Sequence, residues 1–449
     1  MIRSLTLIAV TLITIGFTEK AVAQLDLLPK GVGLLQYGYR TYSPVSQQYD
    51  ANGISTPIGA RFDQNFDSET MASGAAGADL QRLVTELNSF SAAQGSEDGL
   101  GSSLQLGTLQ GDVQADIQAQ VFGIGFGLTR WLTFFAGVPL ISAEVNTELT
   151  FVGNNNANAI RSQLGDLAFD ELSAGLQQAA AINARQVQGS IQQKGYGPIE
   201  RWSHSGIGDV RVGLKTGKKW RMARRAQFGL GLTSQLEIPT GYTDDPDLLT
   251  DVSLGKGYYS ASFTLEPRLR FFRYIMIGAD LGYAKNFATT IEKRLPEGNE
   301  SLVDQSRKTT VNWQPGDDTT VAGSAGLVFS FASLTYKNGM TQHGQDSYTG
   351  SLVGNYEALA KGTESLEQYH EGIVSLSSAD AYRRGKVPIP FILSFIAHSP
   401  YAGKNTTIQP YYEISLTSFF SSPWTEAPKK RKKRAKFAKQ RPNKRSFTY

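Results

Sequence analysis

The chain has 449 residues, with 44 Lys or Arg against 40 Asp or Glu, 46 Gly and no Cys. The lack of Cys excludes disulfides and thiolate metal sites, and His204, His343, His370 and His398 are too scattered to form a metal-ligand motif. No metal and no cofactor are expected, and since no apolar run after residue 23 approaches the ~18 residues of a membrane helix, any membrane crossing must use strands.

The N-terminus, MIRSLTLIAVTLITIGFTEKAVAQ, has a basic start at Arg3, a short apolar run and a small-residue site at Ala21-Val22-Ala23. It reads as a signal peptide over 1–23 followed by an exported chain from Gln24. Period-two runs then recur along the chain. Phe122, Ile124, Phe126 and Leu128 alternate with glycines, and Val210, Val212 and Leu214 alternate with Asp209, Arg211 and Lys215. In 226–238, AQFGLGLTSQLEI, Phe228, Leu230, Leu232, Leu236 and Ile238 oppose Gln227, Thr233, Gln235 and Glu237. Tyr259, Phe263, Leu265 and Leu269 oppose Glu266, Arg268 and Arg270, and Ile275, Ile277, Leu281 and Tyr283 oppose Asp280. In TIQPYYEISLTSFF, Ile408, Tyr412, Ile414, Leu416 and Phe420 share one face, and Gln409, Glu413, Ser415 and Thr417 the other. Such strands have one oily and one wet face.

The runs are longer than the 5–6 residues common in globular domains and match the ~9–11 of a tilted membrane strand. Tight connections at Thr129-Arg130, Phe272-Arg273 and Arg384-Gly385-Lys386 alternate with long polar ones at 148–206, 289–317 and 344–370. Aromatics gather near strand ends at Trp131, Phe134, Phe135, Tyr258, Tyr259, Phe271, Phe272 and Tyr274, as in an interfacial girdle. The expected fold is all-β: one transmembrane antiparallel β-barrel over 24–420, with long, partly helical outer loops. Its twelve strands are 31–43, 114–128, 131–147, 207–217, 226–238, 258–271, 274–287, 318–329, 331–343, 371–383, 387–398 and 407–420, with ten or fourteen as the neighbouring even counts. Ala78–Phe90, with Asp79 as its cap, and 158–193 have helical spacing and belong in loops.

A charge on the lipid face costs ~2–4 kcal/mol at mid-membrane. Asp209, Arg211, Lys215, Gln227, Gln235, Glu237, Glu266, Arg268, Arg270, Asp280 and Glu413 are therefore candidates to line the lumen. They either form inter-strand ion pairs that fill a narrow barrel or border a polar path. Pro139, beside Gly137, cannot donate to a ladder and marks a bulge or edge. His343 with Asp346 and Ser347 is the one local cluster with catalytic residue types, and an enzyme is not expected from it. The basic tail 421–449 carries 11 Lys or Arg and no acid from residue 429 onward. An exported barrel leaves no nucleic acid for it. Its expected partners are anionic lipid headgroups or peptidoglycan, against the alternative of a solvated tail with no fixed partner.

The segment GIGDVRVGLKT, Gly206–Thr216, resembles a signature of outer-membrane proteins linked to phenol meta-degradation, which are similar to the long-chain fatty-acid transporters. LLPKGVGLLQYGYRTY, Leu27–Tyr42, resembles the first strand of that group. The resemblance implies a monomeric channel in the bacterial outer membrane, passing hydrophobic or aromatic small molecules by passive diffusion. It also implies a kinked third strand open to lipid, here at Gly137 and Pro139. The last strand, Tyr412 to Phe420, looks like the signal read by the barrel-assembly machinery, although here residues follow it. The other reading is a structural or adhesive barrel, anchored to cell wall or anionic lipid by the tail.

Overall fold

The computed structural model describes residues 27–73, 76–95, 99–165, 170–298 and 302–421. The signal peptide and nearly all of the basic tail lie outside these residues. No described helix is long and apolar enough to cross a membrane.

Twelve antiparallel strands close into a barrel. They are β1 (Val32–Tyr42), β2 (Gln105–Gly127), β3 (Leu132–Val152), β4 (Val210–Ala223), β5 (Ala226–Ile238) and β6 (Ser260–Phe271). The second half is β7 (Ile275–Asn286), β8 (Asp318–Val328), β9 (Ala332–His343), β10 (Ser365–Ser377), β11 (Phe391–Lys404) and β12 (Tyr411–Ser421). Each strand pairs with its sequence neighbours, and β1 pairs with β12 over its whole length, from Val32↔Ser421 to Tyr42↔Tyr411. That last pairing removes both sheet edges.

Alternation places the side chains. On β12, Tyr412, Ile414, Leu416 and Phe420 face outward, while Glu413, Ser415 and Thr417 are buried inside. Ile408 and Gln409 precede the strand. The outer wall is an apolar band of residues such as Leu35, Ile124, Phe263, Ile277, Leu334 and Phe395. An oily outside around a polar inside is the wall of a barrel solvated by lipid.

Five expectations need correction. The hairpin expected at Arg384-Gly385-Lys386 is not tight: β10 ends at Ser377, a short helix covers Ala379–Arg383, and β11 starts at Phe391. Pro388 and Pro390 cannot donate to a ladder, which pushes that start past 387. β2 and β3 are much longer than expected and pair from Gly127↔Thr133 up to Thr108↔Val152, rising beyond the apolar band. The interval 148–206 holds three helices and the short strand Trp202–Ile207. Phe135 points inward against Gly213, and Tyr258 is buried against Trp313, so neither belongs to the girdle. Asp79 lies in the first turn of the helix Ala78–Ala93, behind Gly77, where its charge opposes the positive helix end.

At the long-loop end this helix packs with Ala157–Leu164 and Asp170–Ala180 around Leu87, Leu104 and Leu176. Thr289–Arg294, Lys308–Gln314 and Ser347–Thr349, from the other long loops, form a separate three-stranded sheet.

Candidate functional site: the lumen and a joint in its wall

Most of the expected lumen residues meet each other inside the barrel. Arg211 Nε donates to Glu237 at 2.8 Å, and Lys215 Nζ lies 3.0 Å from Glu266, which also accepts from the Thr233 hydroxyl at 2.8 Å and lies 3.8 Å from Arg268. Arg268 and Lys337 both pair with Asp280. Glu413 accepts from Arg40 Nη2 at 2.7 Å, and the guanidinium also lies 4.1 Å from the Tyr411 ring centroid. These groups are buried, so each needs its partner to offset the loss of water. Arg270 sits lower and donates to the Arg273 carbonyl; Gln227, its register neighbour, is exposed at the rim, and Gln235 is half-buried.

Two loops are drawn into this network. Lys256, from 239–259, reaches Glu237 at 3.1 Å and Asp318 at 3.4 Å. His343 contacts Asp318 through Nδ1 at 2.6 Å and Asp346 through Nε2 at 3.0 Å. Asp346 also accepts from Trp313 Nε1 and from the backbone N–H of Gly316. Both ring nitrogens of His343 are thus occupied by carboxylates, leaving none to accept a proton from Ser347. Among the described residues no group of three or more His, Asp or Glu is placed to hold a metal ion.

Asp209 has a different role. Its carboxylate accepts the backbone N–H groups of Thr240, Gly241 and Lys256 at 3.1, 3.0 and 2.6 Å, tying both ends of the 239–259 loop to the wall. Gly255 can approach Asp209 because it lacks a Cβ, which would stand 2.3 Å from the carboxylate oxygen.

Beside the charged groups the lumen carries an apolar cluster. Ile117, Val121, Ile141, Val145, Ile373 and Ile396 point inward and pack with Val252 and Leu254 of the same loop. On this stretch of β2 the outward side is polar, at Asp116, Gln118 and Gln120. Asp251, in the loop, accepts from the Tyr242 hydroxyl at 3.0 Å; burial pushes its carboxyl up to about 6, and the nearby Asp244 adds to the rise.

A joint in the wall lies beside this cluster. β3 pairs without interruption to β2, but on its other edge it changes partner. Gly137 and the residues below it pair with β4, whereas Leu140 to Val145 pair with Trp202–Ile207. Val138 and Pro139 therefore face three residues, Gly208, Asp209 and Val210, which makes a bulge. Gly208 N donates to the Pro139 carbonyl at 2.9 Å. A strand residue's N and O point the same way, so the donor that proline lacks is missing on this edge. A Cβ on Gly208 would stand 2.7 Å from Ile141 Cδ1 and 3.0 Å from the Leu254 carbonyl. On the outer side a cleft of about 360 Å³ is lined by Gln118, Gln120, Leu140, Ser142, Ser205 and Ile207.

No protein-family model matches the chain, and no curated protein matches it. Solved structures do. An outer membrane channel from Pseudomonas putida F1 is 11% identical, with 88% of this chain and 98% of that chain covered and a TM-score of 0.48. The Pseudomonas putida toluene transporter TodX is 10% identical, with 90% and 94% covered and a TM-score of 0.28. The translocator domain of the autotransporter NalP from Neisseria meningitidis is 8% identical, with 90% and 93% covered and a TM-score of 0.29.

Sequence reasoning missed Arg40, Lys337 and Glu371, buried in the lumen, and the half-buried Asp318. The alternation of Arg40 with Gly38 and Gln36 in β1 carried the signal for the first of them. Lys256 carried none, because it comes from a loop, whereas Asp346 was legible as a neighbour of His343.

Proposed function

We propose that the chain is an outer-membrane channel through which small hydrophobic or aromatic molecules diffuse passively. The observation that supports this best is the apolar cluster inside the barrel: a path for sugars or ions would be lined by polar groups throughout, whereas here Ile117, Val121, Ile141 and Ile396 also face the interior. Val252 and Leu254 close it, so passage requires the 239–259 loop to shift. Proteoliposomes carrying the chain should take up an alkylbenzene well above protein-free vesicles, while equal-sized sugars produce no swelling. Sugar permeation at the rate of the aromatic solute would contradict the reading.

The joint at Pro139 and Gly208 supports a finer reading, in which cargo leaves the lumen sideways into the bilayer. Leu140 and Ile207 are direct Cα partners beside it. The chain has no Cys, so Leu140→Cys with Ile207→Cys can lock the joint by one disulfide. Oxidation should stop aromatic uptake and reduction should restore it. Unchanged uptake in the locked form rules out the sideways route and leaves the channel intact.

A further inference from the structure

The β4–β5 hairpin carries a surface that the channel reading does not use. Thr216 is the last β4 residue opposite β3, at Leu132, and β4 then continues to Ala223. β5 pairs with β6 down to Ala226↔Phe271, so the turn of this hairpin ends level with the β6–β7 turn, where Phe272 N donates to the Arg225 carbonyl. The hairpin exposes Lys218, Lys219, Arg221, Arg224 and Arg225 and has no acidic residue; Lys218 shares the outward face of Leu214 and Trp220, and Arg224 and Arg225 form the turn. Arg130 and Arg273 continue the charge on neighbouring turns, and Arg383, Arg384 and Lys386 on the connection after β10. In these connections the one acid is Asp380, paired with Arg383.

The height of this charge identifies its partner. Lys218 Nζ lies 5.5 Å from the Trp220 ring centroid, and the Arg225 guanidinium 5.7 Å from that of Phe272. Trp220, Phe272, Trp131 and Tyr274 are exposed aromatics at the strand ends, where a barrel meets the polar edge of the bilayer. Cations seated on that ring stand at the level of the lipid phosphates. A soluble acidic partner would not need the aromatic ring, whereas a lipid surface uses both.

We infer that the β4–β5 hairpin binds the phosphate headgroups of anionic phospholipids in the leaflet at the short-turn end of the barrel. The inference rests on the membrane-barrel reading. Each basic residue near a charged surface adds about 1 kcal/mol, roughly fivefold in preference, and the effect falls with salt.

The test reconstitutes the full chain in phosphatidylcholine vesicles with a minor share of phosphatidylglycerol, brominated in one lipid or the other. The ratio of tryptophan quenching by the two lipids reports local enrichment. The native chain should prefer the anionic lipid, and replacing the five hairpin cations by Gln should cut that preference by at least about tenfold. The milder Arg224→Gln, Arg225→Gln variant, confined to the turn, should lose severalfold even if the larger variant does not fold. Deleting 429–449 should leave the preference in place. An unchanged ratio in the turn variant, or a ratio abolished by the tail deletion alone, overturns the inference. Hairpin-dependent sedimentation with peptidoglycan but no lipid preference also overturns it. A native chain that fails to insert into either vesicle defeats the barrel reading instead.

Discussion

At the long-loop end β2 and β3 rise to Thr108 and Val152, helices pack against one another, and Asp244, Asp247 and Asp251 gather in a loop that folds into the lumen. At the short-turn end most strands finish in tight, aromatic-flanked turns, the connection after β10 is longer and helical, and the β4–β5 hairpin displays only positive charge. The lumen mixes apolar packing with ion pairs. Some of these pairs are closed by loop residues such as Lys256, and these can open. Others, such as Arg211 with Glu237, join neighbouring strands and cannot open without breaking the wall.

The largest expected effect lies in a pair between neighbouring strands. Arg40 is buried between Glu413 and the Tyr411 ring, and Arg40→Ala leaves Glu413 without its bidentate partner. Urea unfolding in vesicles should show a loss of about 3–5 kcal/mol, while the double change Arg40→Met, Glu413→Met should cost far less. Next comes the loop latch. Lys256→Met removes the contacts to Glu237 and Asp318, and the variant should lose about 2–4 kcal/mol and conduct more in planar bilayers. Equal conductance would show that the loop does not close the lumen.

Asp251 gives a smaller, pH-dependent effect. Its carboxyl is raised to about 6, so the folded state favours the protonated form. Folding loses stability as pH rises from about 4 to about 6, and the loss is complete above that window. The advantage of Asp251→Asn over the native chain should therefore grow by about 1–2 kcal/mol across the window, allowing for solvent screening, and then level off. The smallest effect belongs to the short-turn end. Phe272 and Arg273 have φ of 49° and 73°, which favour glycine and asparagine. Phe272→Asn with Arg273→Gly should stabilise the barrel by about 1 kcal/mol, seen as a shift in the same urea curves.

Much of this contrast was legible in the sequence. β5 is found where its pattern placed it, because Phe228 to Ile238 alternate cleanly between lipid and lumen. The inward charges from Arg211 to Glu413 were legible because lipid tolerates none of them on the other face. The upper part of β2 was not. Its alternation persists, but Val113 to Val121 turn inward and Gln114 to Gln120 outward, and periodicity does not say which face meets lipid. The β10–β11 boundary slipped because a short helix and two prolines occupy the connection. Loop partners such as Lys256 left no trace, since their spacing to Glu237 and Asp318 is set only by the closed fold.

β2 also offers the most direct test. Single cysteines placed in the Cys-free chain at Phe122 and Ile124 should be quenched by lipid-borne probes and shielded from a water-soluble thiol reagent. Cysteines at Ile117 and Val121 should be reached by neither until the 239–259 loop is released by Lys256→Met. Ready labelling of Phe122→Cys and Ile124→Cys by the water-soluble reagent, in chains that stay dispersed without detergent, would contradict the account.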